Sequence, residues 1–145
     1  MNVLMGIGNE MKGDDGIGNV IAREFNIPGW KSIPCETVPE NFTSVIKREN
    51  PEILVIVDAT EMGLGPGEFR QIPKEKLNSD IVGTHGIPLM HLVSYLEEYA
   101  RKIIFIGVQP KKMDMGGDIS QEVGTCKNKL IDILEKRAFD TIRSL

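Results

Sequence analysis

The run Val3-Leu4-Met5-Gly6-Ile7 decides the fold class, because a similar apolar pattern returns at Ile53–Val57 and Ile103–Val108. Runs that are apolar at consecutive positions and rich in β-branched residues are typical of strands covered on both faces, as in parallel sheets. Lys31–Thr37 and Glu68–Ile72 are weaker strand candidates, which we expect nearer the edges. The sequence therefore predicts a sheet whose central strands are parallel.

Apolar residues at helical spacing occupy the intervals between these runs. The four stripes comprise Ile17, Val20, Ile21 and Phe25; Phe42, Val45 and Ile46; Leu89, Leu92, Val93 and Leu96; and Val123, Cys126, Leu130, Ile133, Leu134 and Ile142. The last stripe predicts a long C-terminal helix that reaches Ile142, with Ser120 as its N-cap. Strands that alternate with helices predict an α/β sandwich of three layers, in which a mostly parallel sheet has helices on both faces.

Length and composition predict one domain, residues 1–145, and restrict its partners. The 145 residues are close to the usual length of one domain, and no repeat or linker divides them. A net charge of −4 without a long basic run argues against nucleic acid as a partner. The apolar runs are far shorter than the roughly 18–20 residues of a membrane span, so no membrane insertion is expected. No signal peptide precedes the first strand, which predicts a cytoplasmic location.

A ligand is expected at three predicted loops. Two of them follow strands, and the third precedes a helix. Ligands of open parallel sheets bind beyond the carboxyl ends of the strands, and the loops of interest are residues 6–16, 58–60 and 83–88. The first begins with Gly6-Ile7-Gly8, but it lacks the third glycine of a dinucleotide fingerprint and the Gly-Lys pair of a phosphate loop. Its acidic side chains would also repel a pyrophosphate. We therefore predict no cofactor-binding residues of the nucleotide type.

The candidate functional side chains in these loops are two carboxylates and one imidazole. Of Asp14 and Asp15, one is expected to cap the following helix, which leaves the other available to a ligand. Asp58 ends an apolar strand, so its carboxylate must reach a partner or a ligand. His85 is flanked by glycines, which keeps it off a helix face and lets its ring reach a neighbour. His91 is interpreted as structural or exposed.

Together these groups form a mixed oxygen and nitrogen donor set that suits a borderline divalent metal. The same groups could instead act as an acid–base system without a metal. A serine nucleophile is not indicated, since no Gly-x-Ser-x-Gly sequence occurs. Cys35 and Cys126 have no histidine beside them in sequence, and each is interpreted as a small buried hydrophobic residue.

With these residues the chain resembles the hydrogenase maturation endopeptidases, which process the C-terminus of the large subunit of nickel–iron hydrogenases. The matching motifs are Gly6-Ile7-Gly8-Asn9, Gly13-Asp14-Asp15-Gly16-Ile17-Gly18, Asp58-Ala59, and His85 with Pro88-Leu89. Three further stretches, at residues 58–63, 66–68 and 106–110, are similar to the subgroup that serves formate-hydrogenlyase-type and related multisubunit hydrogenases. The motifs follow in family order from residue 1 to about residue 135.

The resemblance implies a five-stranded sheet between helices and an endopeptidase whose partner is the large-subunit precursor. It implies that the enzyme removes the C-terminal extension after nickel has been placed in the precursor. It also implies that Asp15, Asp58 and His85 bind this nickel and are the catalytic residues. Nickel is then presented by the substrate, and other divalent ions are stand-ins for it.

Two other functions stay open at this point. A non-enzymatic nickel checkpoint or chaperone, which binds the nickel-loaded large subunit without cutting it, would use the same three ligands. A peptidyl-RNA-type hydrolase would also combine Gly6-Ile7-Gly8-Asn9 with an aspartate and a histidine in an α/β domain. The acidic charge balance argues against this last function.

Overall fold

The structure is a computed structural model that describes residues 1–77 and 89–145. His85, and with it the loop at residues 83–88, lies outside the described residues. The strands are β1 (Asn2–Ile7), β2 (Trp30–Glu36), β3 (Ile53–Ala59), β4 (Phe69–Gln71) and β5 (Lys102–Val108). The helices are α1 (Ile17–Glu24), α2 (Thr43–Glu49), α3 (Leu89–Leu96) and α4 (Gln121–Glu135). Each predicted strand is confirmed to within two residues of its expected bounds.

The five strands form one sheet in the order β2-β1-β3-β5-β4. β1 pairs in parallel with β2 and β3, β3 pairs in parallel with β5, and the short edge strand β4 runs antiparallel to β5. This confirms the predicted mostly parallel sheet. Since the apolar runs β1, β3 and β5 are its three inner strands, their continuous hydrophobicity is explained by burial on both faces.

Helices cover both faces of the sheet, as predicted. One core lies between the sheet and the pair α1 and α4, and it includes Leu4, Val55 and Val57. The other core lies between the sheet and the pair α2 and α3, and it includes Leu54 and Ile56. Neighbouring residues of β3 therefore alternate between the two cores, which is the period of two expected of a strand.

The C-terminal helix is shorter than predicted. α4 ends at Glu135, and Arg137 then adopts a left-handed φ of 54° that turns the chain away from the helix axis. Ile142 returns to the core after a short 3₁₀ turn at Phe139–Thr141. A spacing of eight residues from Leu134 is compatible with a helix, so the apolar pattern alone did not reveal the break. The predicted N-cap is confirmed, because the Ser120 hydroxyl accepts a hydrogen bond from Val123 N–H at 3.4 Å.

Among the helices that the described residues form, none combines the length and the hydrophobicity needed to cross a bilayer.

Candidate active site

Because β1 extends to Ile7, the first of the predicted loops consists of residues 8–16, and it folds back over the carboxyl ends of β1 and β3. Two glycines permit its close packing. A Cβ atom on Gly8 would lie 2.3 Å from the Asp15 carbonyl oxygen. On Gly18, in the first turn of α1, it would lie 2.2 Å from the Val57 oxygen and 2.3 Å from the Ile7 oxygen. The start of α1 therefore rests directly on the backbone of two neighbouring strands, where any larger side chain would collide.

Asp14 does not cap α1, and neither does Asp15, so the predicted capping role is wrong. The N-cap of α1 is Gly16, which makes no side-chain cap hydrogen bond. The buried Asp14 carboxylate instead turns toward residues 109–120, the segment between β5 and α4. It accepts hydrogen bonds from Lys111 N–H (2.8 Å), Lys112 N–H (3.1 Å), Ser120 N–H (2.7 Å) and the Ser120 hydroxyl (2.8 Å). Because the donors come from a distant segment, local helix-capping rules did not predict this arrangement.

Asp15 lies in the first loop and is only 2% exposed. Its Oδ2 accepts a hydrogen bond from Asn9 N–H at 3.1 Å, which ties the carboxylate to the point where the loop begins. The turn at Glu10–Gly16 that contains Asp15 packs against β3. The structure thus places Asp15 beside the strand that carries Asp58.

Asp58 is the sixth residue of β3, is fully buried and lies in register with Gly107 of β5. Its position in the alternation matches that of Leu54 and Ile56, so its side chain lies on the face covered by α2 and α3. The carboxylate is therefore placed by the strand itself, near its carboxyl end. This agrees with the expectation that Asp58 lies where loops of neighbouring strands converge.

Gln109 is a buried polar residue that the sequence interpretation did not single out. Because β3 extends to Ala59, the loop after this strand begins at residue 60, and Gln109 organises residues 60–68, called the second loop from here on. Its Oε1 accepts hydrogen bonds from Met62 N–H (2.7 Å) and Leu64 N–H (3.2 Å), and its Nε2 donates to Glu61 Oε2 at 2.9 Å. A glutamine directly after an apolar strand was the available signal, since such a residue becomes buried and needs hydrogen-bond partners.

The two thiols are inert, which confirms their interpretation as buried hydrophobic residues. Cys35 belongs to the core on the α2–α3 face and Cys126 to the core on the α1–α4 face. Burial raises the pKa of each thiol to about 12, from a reference value of 9.0. Neither residue therefore supplies a thiolate nucleophile near neutral pH.

The described residues contain no group of three histidine, cysteine, aspartate or glutamate side chains that could hold a metal ion. His85 lies outside them, so the predicted set of Asp15, Asp58 and His85 stays a prediction. His91 lies on α3 and is exposed to solvent, in agreement with its interpretation.

Comparison with known proteins identifies relatives over most of the chain. The family model of the hydrogenase maturation protease HycI matches residues 18–137. The hydrogenase 3 maturation protease of Escherichia coli K12 is 40% identical over 113 residues, which are 75% of this chain and 72% of that protein.

Solved structures show the same similarity. A crystal structure of a hydrogenase 3 maturation protease is 32% identical, with a TM-score of 0.92 over 100% of this chain and 96% of that one. A nickel–iron hydrogenase maturation protease HycI from Thermococcus kodakarensis KOD1 is 30% identical, with a TM-score of 0.83 over 93% of this chain and 90% of that one. The fold, the order of the motifs and these matches agree, and the chain belongs to the hydrogenase maturation protease family of the HycI type.

Proposed function

We propose that this protein is the endopeptidase that removes the C-terminal extension from the large-subunit precursor of a nickel–iron hydrogenase, once nickel is in place. Family membership supports the peptidase activity, and it favours a peptidase over a peptidyl-RNA-type hydrolase. The observation that carries the assignment of the site is the burial of Asp15, in the loop after β1, and of Asp58, near the carboxyl end of β3. These carboxylates are 2% and 0% exposed.

The chemistry of this donor set fits nickel. Buried carboxylates are stable where they are paired, hydrogen-bonded or bound to a metal. Asp15 and Asp58 supply oxygen donors, and His85 would supply a nitrogen donor, which together suit a borderline divalent ion. Asp58 lies on the face covered by α3, and in the sequence His85 precedes the start of that helix by four residues. In this proposal the nickel arrives with the precursor and is part of the substrate.

The residues of this chain contribute orientation and proton transfer to the reaction. Hydrolysis of a peptide bond requires a base for the attacking water and an acid for the departing amine. Asp15, Asp58 and His85 are groups that can accept or release such a proton. The substrate's nickel supplies Lewis-acid polarisation when it is present. Because both aspartates are held by the fold before substrate arrives, the site is preorganised for a precursor that already carries its metal.

The test is cleavage of purified large-subunit precursor, with and without nickel, followed by mass spectrometry of the products. We expect a short C-terminal peptide to be released only from the nickel-loaded precursor. Outer partners of metal ligands typically contribute tenfold to a hundredfold to activity, so the change of a ligand itself, Asp58→Asn, should reduce the rate at least about a hundredfold. Asp114→Asn is the matched control, because it makes the same chemical change at an exposed residue.

The outcomes separate the alternatives. Full activity of Asp58→Asn contradicts the assignment of this residue. A stable complex with nickel-loaded precursor that is never cut contradicts the endopeptidase function and indicates a nickel checkpoint. Cleavage that is independent of nickel contradicts the proposed role of the metal and leaves the peptidase activity intact.

A further inference from the structure

We infer that Asp14 is a positioning residue for the reaction: its carboxylate clamps the first loop to residues 109–120 and thereby holds Asp15 in place. The inference rests on the proposed function only for the role of Asp15 in cleavage. The position of Asp15 itself can be measured without substrate. Asp14 is not a catalytic residue, because its carboxylate is occupied by donors of the β5–α4 segment.

The clamp joins two backbones that lie in direct contact. Asp14 N–H donates to the Lys112 oxygen at 2.8 Å, and Gly116 N–H donates to the Met11 oxygen at 2.7 Å. Gly13 makes this approach possible, because its φ is +55° and a Cβ atom there would lie 2.8 Å from the Lys112 oxygen. The glycine before Asp14 thus lets the loop come close enough for the carboxylate to reach all its donors.

The carboxylate is fully buried, and the four donors compensate its charge. Three are backbone N–H groups and one is the Ser120 hydroxyl, which also caps the 15-residue helix α4. Hydrogen bonds to an ionised acceptor are stronger than those between neutral groups, and the N-terminus of a helix favours a negative charge. An asparagine would keep the shape but replace one acceptor oxygen by an NH₂ group that faces these donors. The clamp therefore depends on a carboxylate at position 14.

The clamp at Asp14 restrains Asp15 because a single peptide bond joins the two residues. Asp15 is held on one side by Asp14 and on the other by the hydrogen bond from Asn9 N–H, at 3.1 Å. Catalytic groups must be held within about 0.5 Å of their productive position, and supporting contacts provide that precision. Release of Asp14 should weaken the hydrogen bond between Asn9 N–H and Asp15. Asp58 should stay in place, since it belongs to a strand.

The experiment compares Asp14→Asn with Asp114→Asn, which has an exposed side chain in the segment that Asp14 binds. Amide hydrogen exchange of Asn9, measured by NMR on the metal-free protein, reports the contact with Asp15. In Asp14→Asn we expect this exchange to accelerate at least about tenfold through local opening. We also expect kcat for nickel-loaded precursor to fall about tenfold to a hundredfold, with KM nearly unchanged. Asp114→Asn should change none of these values.

Unchanged Asn9 exchange in a folded Asp14→Asn protein overturns the inference, and so does an equal effect of Asp114→Asn. Accelerated exchange with undiminished cleavage supports the clamp and contradicts the proposed role of Asp15 instead. If Asp14→Asn does not fold, Ser120→Ala decides, because it removes one of the four donors and keeps the carboxylate. Its Asn9 exchange should rise by a smaller factor, and an unchanged rate there overturns the inference.

Discussion

The two loops that follow β1 and β3 are held by different kinds of buried group. The first loop, residues 8–16, is held by the Asp14 carboxylate, which accepts four hydrogen bonds. The second loop, residues 60–68, is held by the neutral amide of Gln109, which accepts two hydrogen bonds and donates one to Glu61. Both contacts involve residues 109–120, so one segment organises both loops.

The two loops also differ in how the candidate ligand associated with each is held in position. Asp58 is part of β3, and the pairing of Asp58 with Gly107 in the strand ladder determines its position. Asp15 lies in a loop, which has no strand ladder to orient it. A charged clamp beside Asp15 supplies the precision that the strand supplies to Asp58. We therefore expect the first loop to contribute to the geometry of the site and the second loop to contribute mainly to stability.

The largest expected effect concerns β1 and β3, the strands from which the two loops emerge. Gly18→Ala places a methyl group against the backbone oxygens of Ile7 and Val57, which cannot move without distorting β1 and β3. We expect the free energy of unfolding to fall by about 3 kcal/mol, as for severe overpacking. Urea denaturation followed by circular dichroism measures it.

Gly124→Ala is the matched control for this change. Gly124 lies inside α4, and a Cβ atom there meets no other atom within 4 Å. Alanine is the better helix former, so this substitution should raise the free energy of unfolding by about 0.5–1 kcal/mol. Equal destabilisation by the two substitutions would show that the close approach of Gly18 to the strands is unimportant.

A smaller effect is expected from Gln109→Ala, which separates the two loops. The change leaves Met62 N–H and Leu64 N–H without their acceptor, and we expect a loss of about 2 kcal/mol of stability. Because Asp58 is held by its strand, kcat should fall less than in Asp14→Asn. Cleavage assays on both variants, at a temperature where each is folded, measure the ratio of their kcat values. If Gln109→Ala lowers kcat as strongly as Asp14→Asn, the second loop also contributes to the geometry of the site, and the expected difference between the loops is wrong.

The effect that is smallest near neutral pH concerns the two cores outside both loops, and it develops only in alkaline solution. Burial raises the pKa of Cys35 and Cys126 to about 12 in the folded protein, whereas the reference pKa is 9.0. Above pH 9 the unfolded chain therefore loses thiol protons that the folded chain keeps, and the unfolded state is stabilised. The stability that the neutral thiols contribute is fully present below pH 9 and declines as the pH rises toward 12. The slope is at most about 1.4 kcal/mol per pH unit for each thiol.

Urea denaturation across this alkaline range measures the slope. A variant with both Cys35→Ala and Cys126→Ala should lose this part of the pH dependence while keeping that of the other groups. An identical alkaline slope in the two proteins would contradict the burial of the thiols as the cause.

The accuracy of the sequence interpretation depended on the range of the interactions involved. The positions of β1, β3 and β5 were predicted because a continuous apolar run is a local property. Ile142 was wrongly placed in the last helix, because its spacing is helical although Arg137 reverses the chain before it. The helix-capping role expected of Asp14 or Asp15 was wrong for a related reason. A cap is a local contact, whereas the partners of Asp14 are 97 to 106 residues away.

The sequence by itself determined the fold class through its apolar periodicity. Its motifs carried the family resemblance, which implies Asp15, Asp58 and His85 as candidate ligands. Only the tertiary structure decided which of two adjacent aspartates is a clamp and that Gln109 organises the second loop. Both results depend on how residues 109–120 meet two distant loops after the sheet has formed. Hydrogen bonds of this kind depend on distance and direction in space, which local sequence patterns do not specify.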